Sequence, residues 1–402
     1  MRDWLRDALE RRPTWMNALL VFCAYMAFVY VPWDFLAKPV ARDQEAWFGV
    51  LLEGWAAKLT EPLHWAIYAA GTYGFWRMRP WMWPWAAIYA SQVAIGMAVW
   101  PILHYGGARG VALGAVAFAP LALLTVALWR ARGRFRAPRP SLRERYGEWA
   151  LVTGASAGIG AAFARALASE GVSVVLAARR EPELRALAAE LVGVGAPATR
   201  VVAVDLAAAE GPERLVAAVA DLEIAILVNN AGFGLAGRLD GQDAARLREM
   251  VQLNCSAPLW LTSRILPKMR ARGRGAVLFT GSMAGKQPLP LHAAYAATKA
   301  FDSFLGEALW AETRGSGVDV LVVEPGSTET EFQAVAGEIP HPGQSPDEVV
   351  AVALDALGRQ PSVATRWLHW LRGNAGMRLM PRSLLVLAAK AYTAKQTPPE
   401  RC

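Results

Sequence analysis

Residues Thr153–Gly160 read TGASAGIG. A short apolar run, EWALVT (148–153), precedes them, and AAFARALASEG, with helical apolar spacing, follows. Strand, glycine-rich turn and helix in this order form a phosphate cradle. Gly154 permits the tight turn, Gly158 lets backbone approach a pyrophosphate, and Gly160 lets the helix pack on the sheet. The helix N-terminus then offers free N–H groups to phosphate oxygens. A glycine-rich turn alone is weak evidence; its place between strand and helix strengthens it. The next strand, VSVVLAARR, ends with Ala178 where an acid would hold an unphosphorylated ribose, followed by Arg179 and Arg180. Two guanidinium groups there suit a 2′-phosphate, so NADP(H) is the expected cofactor. The bland alternative is a pair of solvated arginines at a strand end.

These residues need a scaffold, and the chain supplies one. Four further apolar runs, ATRVVAVDL, EIAILVNNAG, GAVLFTGS and VDVLVVEPG, alternate with helical stretches. Repeated strand–helix units predict an α/β Rossmann-like, doubly wound parallel sheet. At this point residues 148–330 resemble the short-chain dehydrogenase/reductase family, through several motifs in the family's order. TGxxxGxG matches Thr153–Gly160, NNAG matches Asn229–Gly232, YxxxK matches Tyr295 and Lys299, and PGxxxT matches Pro325, Gly326 and Thr330. The family's active-site Asn and Ser match Asn254 and Ser282, and Asp205 matches the position that contacts adenine. The resemblance implies a catalytic set of Asn254, Ser282, Tyr295 and Lys299. It implies a cofactor set of Gly154, Ser156, Gly158, Ile159, Gly160, Arg179, Arg180, Asp205, Leu206, Asn230, Ala231, Gly232, Tyr295, Lys299, Pro325, Gly326, Thr328 and Thr330, and no metal. It also implies assembly into homo-oligomers.

The chemistry suits those residue types. Tyr295 and Lys299 are four apart and share a helix face. A free tyrosine, with a pKa near ~10, is a poor base at neutral pH. A neighbouring ammonium and an oxidised nicotinamide ring favour tyrosinate and should lower that pKa. Tyr295 can then exchange a proton with a substrate oxygen while Ser282 holds the same oxygen in place. By resemblance, Asn254 holds a water that links Lys299 to solvent.

The 402 residues are 54% hydrophobic and 19% charged, and the excess apolar character is local. Twelve of the 17 tryptophans precede Arg130, as do four apolar segments: Trp15–Trp33, Pro62–Trp76, Trp81–Leu103 and Val111–Trp129. A span needs about 20 apolar residues. The first, third and fourth qualify alone; the second qualifies only if extended toward Trp55. Residues 130–145 carry seven arginines and one glutamate. A basic run directly after an apolar segment speaks for anionic headgroups and the positive-inside rule rather than for nucleic acid. Four spans put both basic ends, Arg2, Arg6, Arg11 and Arg12 at one and the run after Trp129 at the other, on the cytosolic side. A signal peptide or buried soluble helices are the alternatives. The loop 34–61 is either an interfacial amphipathic helix or the lining of a site.

The expected organisation is therefore a membrane module over 1–130, a basic linker over 131–147, a catalytic domain over 148–340 and a variable tail over 341–402. In the tail, Ser345 caps a helix with Glu348 three residues on. Its last apolar stretch, MRLMPRSLLVLAAKAY, is a lid over the substrate, a helix lying on the membrane, or both. Cys23, Cys255 and Cys402 are too scattered for a disulfide framework, and the five histidines form no zinc motif. Seven lysines against 35 arginines point to a GC-rich bacterial genome, hence a cytoplasmic membrane. The reading that follows is a membrane-tethered NADP(H)-dependent oxidoreductase acting on a lipophilic carbonyl or alcohol. An NADPH-sensing module coupled to the membrane part is the alternative from another class. A transporter or receptor role for the membrane part lacks an obvious charged pathway.

Overall fold

The computed structural model describes residues 12–47, 50–135, 140–371 and 380–402. Arg2, Arg6, Arg11, Arg136, Arg139 and Arg378 lie outside the described residues. The chain divides into two compact units, 1–139 and 140–402.

In the first unit, α1 (Thr14–Ala37), α2 (Glu61–Arg77), α3 (Met82–Tyr105) and α4 (Gly107–Arg130) correspond to the four apolar segments. Among the described residues, three helices are long and apolar enough to cross a membrane: Thr14–Ala37, Met82–Tyr105 and Gly107–Gly133. Helix α2 has 17 residues, so at ~1.5 Å per residue it is about 25 Å long, short of a ~30 Å hydrocarbon core. It nevertheless packs back on α1. The Arg12 guanidinium donates to the carbonyls of Phe75 (3.2 Å) and Trp76 (3.0 Å), capping the end of α2 at the start of α1. Met16, Phe75, Met82, Leu128 and Phe135 share one buried cluster. The start of α1, the end of α2, the start of α3 and the end of α4 therefore meet at one pole of this unit. Helices α3 and α4 approach closely at Gly110 and Gly114, where a Cβ would lie 2.7 Å from the Pro101 carbonyl and 2.5 Å from that of Ala98. The outward faces stay apolar, with Phe28, Leu36, Leu103, Val116 and Leu123 exposed.

Among its described residues the loop 34–61 holds no long amphipathic helix. It folds as an antiparallel hairpin of β1 (Gln44–Trp47) and β2 (Val50–Glu53). A buried ion network pins its base: Lys38 pairs with Asp34 (2.9 Å) and Asp43 (2.8 Å), and Lys58 with Asp43 (3.4 Å). Strand pairing and the ion network override a pattern that reads as amphipathic when taken locally.

The second unit opens on α5 (Leu142–Tyr146), at the end of the expected linker. Ser141 and Glu144 form a reciprocal capping box. Arg145 (2.6 Å) and the buried Tyr146 hydroxyl (2.8 Å) both donate to Asp319. The last residues of the basic run thus belong to the folded unit. The sheet comprises β3 (Trp149–Thr153), β4 (Ser173–Ala178), β5 (Thr199–Ala203), β6 (Ile224–Asn229), β7 (Gly275–Thr280), β8 (Val318–Glu324) and β9 (Ser362–Ala364). Its order is β5-β4-β3-β6-β7-β8-β9, all parallel. Helices cover both faces, as the unbroken apolar strands require. The order reverses between β3 and β6, and the strands' carboxyl ends open there into the crevice where α/β folds bind ligands. Strand β9 lies beyond residue 340, so the sheet takes part of the tail. The capped helix is α13 (Pro346–Ala356), with Ser345 Oγ accepting from the Glu348 N–H at 3.2 Å.

Candidate active site

The cradle forms where β3 turns into α6 (Gly158–Ser169). Gly154 has φ +66°, which a side chain would resist. A Cβ on Gly160 would lie 2.2 Å from the Gly154 carbonyl oxygen, so helix and turn touch backbone to backbone. Thr153 Oγ1 donates to the Val228 carbonyl (3.1 Å) and accepts from the N–H groups of Asn230 (2.9 Å) and Ala231 (3.1 Å). Asn230 Nδ2 returns a bond to the Thr153 carbonyl at 3.0 Å. Helix α6 has no side-chain cap, which leaves its first turn available to an anion. The residues present fit a dinucleotide phosphate.

One cavity of about 740 Å³ runs from this cradle past the catalytic candidates. Every expected site residue lines it except Gly160 and Asn254, which stand behind it. Arg180 donates to Ser156 Oγ from Nε (3.3 Å) and Nη2 (3.1 Å) and pairs with Glu331 at 2.9 Å. Arg179 is more exposed and meets Glu249 at 3.4 Å. Asp205 Oδ1 accepts from the Ala207 N–H (3.0 Å). The Pro325 carbonyl accepts from the Met283 N–H (2.9 Å), Thr328 Oγ1 donates to the Gly326 carbonyl (3.1 Å), and Thr330 abuts Gly158.

Helix α11 (Ala293–Glu312) carries Tyr295 and Lys299 on its buried face. Ser282, two residues past β7, accepts from the Ala284 N–H (3.1 Å) and acts on the Tyr295 phenol closely enough to lower its pKa. Lys299 Nζ donates to the Thr280 carbonyl (2.7 Å) and to Asp302 Oδ2 (3.0 Å). Asn254 sits in a π-turn (Gln252–Ser256) between α9 (Ala244–Val251) and α10 (Ala257–Ala271). Its Oδ1 accepts from the Phe233 N–H (3.2 Å), and its Nδ2 donates to the Phe233 carbonyl (2.9 Å) and Thr298 Oγ1 (3.0 Å). This amide ties the loop after β6 to the helix of Tyr295, work beyond the expected holding of a water.

The electrostatics differ from what the Tyr295–Lys299 spacing predicts. Burial pushes the Tyr295 pKa above its ordinary value. Lys299 and Ser282 pull it back, while Glu338 and Asp302 push it up again. Burial works against the Lys299 ammonium, yet the Asp302 and Tyr295 charges hold its pKa above the usual range. Sequence reasoning missed Asp302, which had a signal three residues after Lys299, and it missed Glu338, which had none.

A parallel sheet in this order, with a glycine-lined cradle beside a buried Tyr–Lys pair, defines a nicotinamide-dependent oxidoreductase. Residues 148–339 match the model of the short chain dehydrogenase family. A very-long-chain 3-oxoacyl-CoA reductase of Homo sapiens is 34% identical over 57% of this chain and 74% of that protein. A 7beta-hydroxysteroid dehydrogenase structure superposes with a TM-score of 0.59 at 28% identity, covering 62% of this chain and 99% of the other. A short-chain dehydrogenase from Sphingobium yanoikuyae in complex with NADPH gives 0.54 at 32% identity, covering 57% and 91%. The chain belongs to the short-chain dehydrogenase family and is an oxidoreductase.

Proposed function

We propose that this protein is a membrane-anchored, NADP(H)-dependent reductase of a lipophilic ketone, able to run in reverse as an alcohol dehydrogenase. The observation that carries the reading is the single cavity joining the cradle, Ser282, Tyr295 and Lys299 to an apolar end beside Phe332, Leu385 and Ala389. Bound nicotinamide supplies or accepts the hydride. Tyr295 gives its phenolic proton to the carbonyl oxygen, Ser282 donates a hydrogen bond to that oxygen, and Lys299 stabilises the tyrosinate left behind. Burial around Tyr295 keeps water from competing for the proton. Ser156 and Arg180 together suit a 2′-phosphate, with Arg179 adding charge. Arg180→Ala should weaken NADPH binding by roughly tenfold to a hundredfold, the ~1.5–3 kcal/mol of a charge-assisted bond, and leave NADH nearly unchanged. Fluorescence titration checks this; equal loss for both cofactors would refute the assignment.

The human relative's name, a very-long-chain 3-oxoacyl-CoA reductase, supports a substrate with a long apolar part. So does α15 (Arg382–Thr393). Its Leu385, Ala389 and Thr393 line the cavity, while Leu384 and Leu387 face outward and are exposed. Trp367 and Trp370 of α14 (Trp367–Leu371) are exposed as well, and His369 of that helix lines the same cavity. Apolar outer faces with Arg366, Arg382 and Lys390 among them fit an anionic bilayer surface. A lid and a membrane-surface helix are then one element.

The start of α1 and the end of α4 meet at one pole, which supports a cytosolic N-terminus and a cytosolic catalytic unit, with 34–61 on the other side. In a variant lacking Cys23, Cys255 and Cys402, single cysteines are placed at Gln44 and Gln360, both exposed. An impermeant thiol reagent on intact cells, or on spheroplasts where there is an outer membrane, should label position 44 only. Labelling of 360 would put the reductase outside and sink the topology.

A further inference from the structure

The substrate end of the cavity is not wholly apolar. His292, at the start of α11, is 4% exposed and lines it. His292 Nε2 lies 3.0 Å from Glu338 Oε1, and Nδ1 is buried with no hydrogen-bond partner. With a carboxylate as the partner, Nε2 carries a hydrogen and donates. Glu338 also lines the cavity. Its Oε2 makes no hydrogen bond among the described residues; His341 Nε2, 3.9 Å away, is too far to donate. His341 is already engaged, with Nε2 at 2.9 Å from Ser327 Oγ and Nδ1 at 2.9 Å from the Ile339 carbonyl.

The pair is held rigidly. Leu291, just before His292, has φ +66°, a conformation costly for a branched side chain. Its carbonyl is clamped by the Gly237 N–H (2.7 Å), and the Pro290 carbonyl by Thr393 Oγ1 of α15 (2.8 Å). On the other side, the Glu338 N–H donates to the Gln333 carbonyl (2.9 Å) and the Ile339 N–H to that of Gln396 (2.8 Å). The Glu338 charge reaches the Tyr295 phenol strongly enough to raise its pKa. A carboxylate oxygen fixed this way, facing the cavity in electrostatic reach of the proton donor, becomes costly once a substrate displaces the solvent around it, unless that substrate donates to it.

We propose that Glu338, oriented by His292, is the specificity-determining group of the substrate cavity: its free Oε2 accepts a hydrogen bond from an O–H or N–H donor that the substrate carries close to its reacting carbonyl. The substrate class is then an amphipathic lipid with a polar donor beside the ketone, and plain hydrocarbon ketones are the poorer substrates. This rests on the ketone-reductase reading above. A site built to bond a donor rejects the analogue that lacks it, because the analogue desolvates the acceptor and leaves it unpaired.

The test uses the full chain and three matched probes: a long-chain methyl ketone, its hydroxymethyl counterpart, and the methyl ether of the latter. Wild type should prefer the hydroxymethyl ketone over both others by about tenfold to a hundredfold in kcat/KM. Glu338→Leu should bring the three kcat/KM values within a few-fold of each other, chiefly by raising KM for the hydroxymethyl ketone; the readout is the ratio among the probes, because loss of the Glu338 charge also acts on Tyr295 and so on all three alike. Glu338→Gln, which keeps size and an acceptor but loses the charge, should retain part of the preference. Equal loss on all three probes in both variants would mean a merely structural role and overturn the proposal. A wild type that reduces all three without preference overturns it too, while leaving the reductase reading intact. No turnover of any probe by wild type, with NADPH bound, overturns the ketone reading and this inference with it.

Discussion

Tyr295→Phe should lose turnover by about 10²–10⁴-fold, the usual worth of a positioned acid–base group, while binding NADPH as wild type does. The expectation separates packing from chemistry. The Tyr295 ring packs on Phe332, with centroids 5.2 Å apart, and phenylalanine keeps that contact. What goes is the one proton that Ser282 and Lys299 are arranged around. The pH profile adds a sign. Carbonyl reduction needs the phenol protonated, so its rate is full below the Tyr295 pKa and falls above it. Because burial, Glu338 and Asp302 outweigh the pull of Lys299 and Ser282, that pKa lies above the ordinary tyrosine value in the cofactor-free enzyme. Reduction should therefore hold through neutral pH and decline only in the alkaline range. Alcohol oxidation, which needs tyrosinate, should rise over the same range. Initial rates against pH, with cofactor binding followed by fluorescence, check both parts; near-normal rates in the Phe variant would remove Tyr295 from its role.

The second large effect concerns the charge beneath that tyrosine. Lys299→Ala should abolish turnover and also destabilise the protein, by about 3–5 kcal/mol if Asp302 stays ionised. Asp302 is 4% exposed and has no other ion partner among the described residues. Burial already raises its pKa against the pull of Lys299, so without the lysine it would take up a proton and recover part of the loss. Lys299→Ala/Asp302→Asn should then regain most of the stability and none of the activity. Asp302→Asn alone removes a negative charge from beside Tyr295, so the alkaline limb of reduction should move to lower pH. Thermal inactivation of the full chain in detergent reads the stability arm. If the double variant were no more stable than Lys299→Ala, the pair would not be the coupled unit described.

How far the sequence reached depended on the range over which each constraint acts. The cradle was legible because one turn imposes glycine at fixed offsets, and the arginines after β4 because a strand end places them predictably. Tyr295 and Lys299 were legible through one helical turn. The pairing of Lys299 with Asp302 fell on the same helix yet passed unnoticed, because nothing in a spacing of three says which partner a buried lysine takes. Glu338 and His292 lie 46 residues apart and meet only through the fold. Strand β9, at three residues, is too short to show alternation. The hairpin of 34–61 was hidden for a related reason: its ion network runs on from the helical pair Asp34–Lys38 to Asp43 and Lys58, which no local periodicity connects. In the first unit, helix positions were readable from hydropathy, but the 17-residue length of α2 needed the structure.

Helix α15 turns apolar side chains both into the cavity and away from it. If that outer face rests in headgroups, a lipid substrate has no aqueous phase to cross between its reservoir and Tyr295. The variable that sets the rate is then substrate mole fraction in the bilayer, not moles per litre. Diluting the vesicles with buffer should leave turnover per enzyme unchanged. Diluting the substrate with inert phospholipid, at constant total concentration, should lower it.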